Sequence, residues 1–212
     1  MTRGAFRNPW LGIPAADYEG HMGDPRVAQL QLLGDVFEES LREFRPAAVV
    51  VPGCATGNGF ERIDPRTTRR IVGVDLNPEF LELARKRHAA RLPGLELIRG
   101  DLAEVELEAG AFDFVFAGLI FEYVEPAPLL ARCARWLRRG GVLGTALQLP
   151  CAAGKVSASA YPSLERLAPV IDLVDPARLD EAAAAAGFAP PRRRVAQLPN
   201  GKRFALGVHV RA

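Results

Sequence analysis

Three valines, Val49-Val50-Val51, run into a loop of small residues with glycines at 53, 57 and 59, and a carboxylate, Asp75, closes the next apolar run 22 residues beyond Gly53. A β-branched run that empties into such a loop predicts a buried strand, a tight turn and a following helix. That arrangement aims backbone N–H groups and the positive end of a helix dipole at a nucleotide-like ligand. An acid about 20 residues further on falls at the tip of the second strand, within reach of ribose hydroxyls. The chemistry is that of a nucleoside-cofactor site, and these residues alone leave the cofactor open.

The elements that must position them follow from periodicity and punctuation. Residues 1 to about 24 read as irregular, rich in Pro, Gly and aromatics (Phe6, Trp10, Tyr18). A helix capped by Asp24 is expected next, with Val27, Leu30, Leu33, Phe37, Leu41 and Phe44 on one face. Strands are expected at about 48–52, 71–75, 95–99, 112–116 and 142–149, with a short helix near 58–64. Asn77-Pro78-Glu79 opens a helix to about Ala90, because a capping side chain precedes a proline that needs no N–H. A further helix spans 127–138, ended by Gly140-Gly141.

Strands alternating with helices predict a parallel sheet with right-handed crossovers. The last third predicts a short helix from Ser163 to Ile171, a helix from Asp175-Pro176 to Gly187, and a hairpin around Pro199-Asn200-Gly201-Lys202. The expected class is α/β: a three-layer α/β/α sandwich on a seven-stranded, mostly parallel sheet with a C-terminal antiparallel hairpin strand. One domain is expected over 1–212, made of an N-terminal lid and helix (1–46), a cofactor core (47–149) and a substrate-side segment with the hairpin (150–212).

Bulk properties narrow the function. The 212 residues carry 27 basic and 25 acidic side chains, a balance that argues against nucleic acid or an anionic membrane as partner. Arg192-Arg193-Arg194 and the Arg132, Arg135, Arg138, Arg139 set read as solvated faces. No apolar run approaches the roughly 18 residues of a membrane span, and no signal-peptide segment is evident. Three scattered cysteines, Cys54, Cys133 and Cys151, fit neither a disulfide framework nor a metal site, so a cytoplasmic location is the default expectation.

In order and at domain-appropriate spacing, these segments resemble class I S-adenosylmethionine (SAM)-dependent methyltransferases, the Rossmann-like type 11/25 kind. Gly53-Cys54-Ala55-Thr56-Gly57-Asn58-Gly59 is similar to the family's glycine loop, with Ala55 at its middle glycine and Val51 where an acid is common. Ile71-Val72-Gly73-Val74-Asp75-Leu76-Asn77-Pro78 resembles the strand that ends in the ribose-binding acid. Ile98-Arg99-Gly100-Asp101-Leu102 resembles the segment whose acid meets the adenine amine, and Phe112–Leu119 the strand that lines the other side of the pocket. Leu137–Leu143 is similar to the glycine turn before strand five.

The resemblance implies SAM as cofactor, held by Gly53, Cys54, Ala55, Gly57, Asp75, Leu76, Asp101, Leu102, Ala117 and Gly118. It implies no metal and leaves the catalytic residues open. Glu122, Tyr18 and His21 are the candidates for substrate contact or proton handling: Glu122 follows the strand-four tip, and the other two lie in a segment that could cover the cofactor. Methyl transfer from a sulfonium is an in-line displacement that mainly needs alignment, and a base is required only if the accepting atom carries a proton. Cys54, Asp113, His88 and His209 read as structural.

The acceptor expected is a small molecule, since no Asn-Pro-Pro-Tyr-like sequence follows strand four and no paired-cysteine arrangement is present. One competing reading is a catalytically silent SAM-binding or regulatory module, favoured by Val51, Pro52 and Ala55. Another is an NAD(P)-dependent oxidoreductase, opposed by the glycine spacing and by Glu165 standing four residues after Tyr161 where a lysine is needed. An aminopropyl transferase is opposed by Gly118-Leu119 in place of an acid pair.

Overall fold

A computed structural model describes residues 8–152 and 154–212; Phe6 of the N-terminal aromatic set lies outside them. Among the described residues, seven strands form one sheet in the order β3-β2-β1-β4-β5-β7-β6. They are β1 (Ala48–Pro52), β2 (Arg70–Asp75), β3 (Leu95–Arg99), β4 (Phe112–Gly118), β5 (Leu137–Leu149), β6 (Arg192–Gln197) and β7 (Arg203–Val210). The first five run parallel, and β7 is antiparallel to both β5 and β6. The expected seven-stranded sandwich with one antiparallel strand is therefore the fold observed.

Alternation along the strands builds a core on each face. Val49 and Val51 point into one cluster with Phe114, Phe116 and Phe37, while Val50, Val115 and Leu143 point into the other with Trp136 and Leu130. Helices α1 (Ala15–Gly23), α2 (Gln29–Phe44) and α3 (Pro78–His88) cover the first face. Helices α4 (Pro126–Trp136) and α5 (Pro176–Ala185) cover the second. The fully buried Phe37 ring of α2 lies 5.0 Å from Phe116 and 6.3 Å from Phe114 between centroids, so it fastens α2 to β4.

The start of α3 is as expected: the Asn77 side chain accepts the Glu79 N–H at 2.9 Å, and Pro78 takes the first turn. Five expectations change. Residues 15–23 are helical, where two glycines and the lack of a capping side chain obscured the signal. Tertiary contacts hold α1 instead: Ala15 N–H donates to Glu79 Oε1 at 3.2 Å, and Ala15, Tyr18, His21 and Met22 are buried. A Cβ at Gly20 would sit 2.1 Å from the Tyr161 ring, so a larger residue there would have to displace that side chain.

Asp24 does not cap α2. Its carbonyl closes a turn by accepting from Val27 and Ala28 N–H, Val27 drops into the core, and α2 starts only after Ala28 at φ +52°. Gly140-Gly141 does not end a helix either. The chain enters β5 at Leu137, which pairs with Phe112, and a register shift between Phe112 and Phe114 absorbs the difference. Residues 162–167 form a 3-10 turn shorter than the expected helix, and 60–62 a single 3-10 turn.

Because β7 is antiparallel to β5, with Arg203 opposite Leu149, the turn before β7 lies at the carboxyl end of β5. Loops after β1, β2, β3 and β4 open at that same edge, where an open α/β sheet binds its ligands. The hairpin turn thus joins the crevice, although it lies far from the glycine loop in sequence.

Candidate functional site

The glycine loop leaves β1 by a succession of left-handed residues: Gly53 at φ +69°, Ala55 at +46°, Gly57 at +84° and Gly59 at +86°. Every second residue is left-handed, a conformation glycine adopts freely and alanine at a cost of about 1–2 kcal/mol. Ala55 therefore holds the shape of a glycine. Gly53 and Cys54 N–H donate to the Val74 carbonyl at 2.8 and 3.1 Å, which anchors the loop to the end of β2.

Asp75 stands where that strand ends. Its Oδ2 accepts the Ala55 N–H at 2.9 Å and its Oδ1 accepts the Asn77 N–H at 2.8 Å. A carboxylate has about four acceptor sites, so two remain for a ligand. Burial pushes its pKa above the ordinary carboxylate value, and the donated N–H groups pull it back only in part. Asp101, at the tip of β3, accepts the Ala103 N–H at 2.9 Å.

One cleft of about 1180 Å³, its open side included, joins these groups. Of the residues expected to hold a cofactor, Gly53, Ala55, Asp75, Leu76, Asp101, Leu102 and Gly118 line it. Cys54, Gly57 and Ala117 are not in its wall. The Cys54 thiol is buried against Gly73, with burial raising its pKa well above the ordinary value, and Gly57 packs on His88 and Phe60. Ala117 points into the core on the other face of the sheet.

Glu122, Tyr18 and His21 all line the cleft. Tyr18 sits in an aromatic wall with Trp10 and Phe80, at centroid distances of 6.1 and 5.1 Å, and Trp10 reaches Tyr123 at 5.0 Å. Burial, and next the Asp75 carboxylate, push the Tyr18 phenol up. The wall is clasped onto the α3 start, since Asn77 Nδ2 donates to the Trp10 and Ile13 carbonyls at 3.0 and 3.3 Å. His21 Nδ1 pairs with Ser159 Oγ at 2.8 Å, and burial lowers its pKa. Tyr161 lies over Gly20 rather than in the cleft wall. Asp113 accepts Ala47 and Ala48 N–H at 2.8 and 2.9 Å and pairs with Arg138, a structural role at the far edge of the sheet.

With this geometry in place, comparison with known proteins assigns part of the chain. Residues 50–145 match the family described as "Methyltransferase domain". That segment belongs to the methyltransferase domain family. A malonyl-[acyl-carrier protein] O-methyltransferase from Serratia marcescens is 35% identical over 92 residues, 43% of this chain and 34% of that protein. A phosphoethanolamine N-methyltransferase 2 from Haemonchus contortus, solved with phosphomonomethylethanolamine and S-adenosylhomocysteine, superposes with a TM-score of 0.72. It is 15% identical, over 93% of this chain and 57% of that one. The [4+2]-cyclase SpnF superposes with a TM-score of 0.67 at 16% identity, over 87% and 82% of the two chains. These structural likenesses are of fold. The chain spans between about a quarter and a half of the length of the first curated relatives it matches.

Beyond the matched segment, the cleft is also lined by the polar residues Gln148, Lys155 and Lys202, which sequence reasoning missed and which surround Glu122. Lys202 is 1% exposed, and its Nζ donates to Gln148 Oε1 at 3.0 Å and to the Lys155 carbonyl at 2.8 Å. Burial lowers its pKa to about 8. Gln148 N–H donates to Glu122 Oε1 at 2.6 Å, while Glu122 Oε2 is buried without a partner among the described residues. Burial raises the Glu122 pKa to about 7. The Asn200-Gly201 turn carried the only signal for Lys202, and recognising it required knowing which edge of the sheet receives the turn. Leu119 also lines the cleft with left-handed backbone at φ +55°, a strained residue next to the site.

Proposed function

We propose that this chain is a SAM-dependent methyltransferase acting on a small-molecule acceptor. The observation that carries the reading is Asp75, a largely buried carboxylate with two acceptor sites to spare, in one cleft with the glycine loop on one side and Glu122 on the other. The residues fit the cofactor. Asp75 can accept both vicinal hydroxyls of a ribose, charge-assisted bonds worth about 1.5–3 kcal/mol each. Leu76 and Leu102 offer apolar faces to a purine ring, with Asp101 beside them to accept from its amine. When bound, SAM supplies an electrophilic methyl group on a sulfonium.

The protein contributes alignment and exclusion of water. The aromatic wall of Trp10, Tyr18 and Phe80 covers the cofactor side, and Met22, Leu164, Leu167 and Ile171 form an apolar chamber for the acceptor. In this reading residues 1–46 provide the cover and its helix, 47–149 the cofactor core, and 150–212 the acceptor side, all within one domain. Malonyl-[acyl-carrier protein] O-methyltransferase and phosphoethanolamine N-methyltransferase, the names of two of the proteins matched above, are consistent with acceptors outside nucleic acid. Incubation with SAM labelled in its methyl group and a panel of small acceptors tests the reading: label is expected in at least one product.

A silent SAM-binding module is the second reading, favoured by the Ala55 methyl group in the cleft wall at a glycine conformation. Tight SAM binding with no transfer to any acceptor would support it.

A further inference from the structure

The cleft wall carries a cation and a carboxylate that share one neighbour, Gln148. Gln148 gives its backbone N–H to Glu122 Oε1 at 2.6 Å and takes Lys202 Nζ on its side-chain oxygen at 3.0 Å. Each charged head keeps one valence free. Lys202 has three N–H donors and uses two, on Gln148 and on the Lys155 carbonyl. Glu122 has a buried Oε2 with no partner among the described residues, at 3% exposure of the residue. A buried polar atom left unpaired costs about 1–3 kcal/mol, so this one is an unmet demand for a donor.

A ligand that meets both must donate to a carboxylate and accept from an ammonium with atoms close together. A largely apolar body fits, because Met22, Leu33, Val156, Leu164, Leu167 and Ile171 line the same cleft. We infer that the acceptor is an aromatic or enolic hydroxyl on an apolar body, with Glu122 as its base and Lys202 as the cation that holds its oxygen. The inference rests on the methyl-transfer reading and names the substrate class of that same site.

Hydrogen-bond capacity separates the neighbouring classes. An ammonium, the form an aliphatic amine takes at neutral pH, can donate to Glu122 but has no lone pair for Lys202. A carboxylate can accept from Lys202 but has no donor for Glu122 Oε2, and a carboxylate acceptor needs no base in any case. A neutral hydroxyl is opposed by neither and satisfies both. In the reaction the O–H proton moves to Glu122 Oε2 while an oxygen lone pair forms the new O–CH3 bond. The S–CH3 bond of SAM breaks with its electron pair passing to sulfur, which leaves the neutral thioether S-adenosylhomocysteine. The proton on Glu122 returns to solvent after product release.

Three probes of one shape separate the classes: 2-naphthol, 2-aminomethylnaphthalene and 2-naphthoate, titrated by calorimetry into the protein saturated with S-adenosylhomocysteine. The expected result is 2-naphthol binding at least tenfold tighter than the other two, with label transferred to it from SAM. Glu122→Gln is expected to keep S-adenosylhomocysteine affinity and lose transfer to 2-naphthol by 100-fold or more. Lys202→Met, checked for folding by the same cofactor titration, is expected to erase the preference for naphthol over the amine. Tighter binding of the amine or the carboxylate, equal binding of all three, or no binding of any overturns the inference. The cofactor titration keeps the two readings apart: if S-adenosylhomocysteine does not bind, the methyl-transfer reading fails first. If it binds and naphthol is not preferred, only the hydroxyl inference fails.

Discussion

Asp75 accepts the backbone N–H of Ala55 at 2.9 Å, so the carboxylate at the tip of β2 is tied directly to the loop at the tip of β1. One residue thereby sets the shape of the loop and presents its remaining acceptor sites to the cleft. Residue 55 makes this pairing from left-handed backbone at φ +46°, although it is alanine.

Asp75→Ala should weaken SAM by roughly 2–3 kcal/mol through loss of the ribose hydrogen bonds while the protein stays folded. Calorimetry on the variant, with a thermal unfolding curve as control, checks both parts. An unchanged affinity would place the cofactor elsewhere.

Ala55→Gly should stabilise the loop or leave it neutral. It removes a left-handed alanine costing about 1–2 kcal/mol but adds chain entropy to the unfolded state, so the net gain expected is up to about 1 kcal/mol. Ala55→Val should lose more than the alanine already does, since β-branching disfavours positive φ further. Urea unfolding of the two variants orders them, and a valine variant as stable as the glycine one would contradict the loop geometry.

Phe37→Ala removes the ring that fastens α2 to Phe114 and Phe116. Full burial of a phenylalanine in such a cluster predicts a loss of about 3–5 kcal/mol. The midpoint of urea unfolding should fall sharply with the slope unchanged.

Titration of Glu122 should appear in both activity and stability. Its folded pKa is raised to about 7, so the base form grows as pH rises through 7, and kcat/KM for a hydroxyl acceptor should climb there. Among the described residues, Lys202 on the hairpin turn is the charged group whose field acts on it, Gln148 N–H donates to it, Tyr123 adjoins it in the chain, and His21 and Lys155 line the same cleft. Between pH 4.5, the ordinary value, and about 7 the folded state holds a proton that the unfolded chain has lost, so stability should fall as pH rises across that window. Lys202, lowered to about 8, acts in the opposite sense and at higher pH: above 8 the unfolded chain binds more protons, and its contribution rises. Glu122→Gln should flatten the lower window and leave the upper one, which chemical denaturation across pH can read.

Much of this architecture was legible because its signals are local. β-Branched runs ending in Gly53 or Asp75, and Asn77-Pro78 before α3, carry their meaning within a few residues. Helix α1 was not, because Gly20 and Gly23 suppress helical propensity, and its support comes from Glu79 and Tyr161, far away in sequence. The early start of β5 was hidden because Leu137-Arg138-Arg139 continues the helical pattern of α4, and only the pairing of Leu137 with Phe112 makes it strand. Lys202 was invisible as a site residue for a topological reason: an antiparallel last strand carries a plain turn lysine to the carboxyl edge of the sheet. The cleft-lining positions of Gly53, Asp75, Asp101 and Glu122 all come from the strand tips, where a sequence signal and a topological rule coincide.

Titration calorimetry of the purified chain with SAM and S-adenosylhomocysteine, with NADH as control, tests the central claim most directly. The account predicts binding of both sulfur ligands with Kd on the order of micromolar, and no binding of NADH at millimolar concentration. Binding of NADH, or failure of both SAM and S-adenosylhomocysteine to bind, would contradict it.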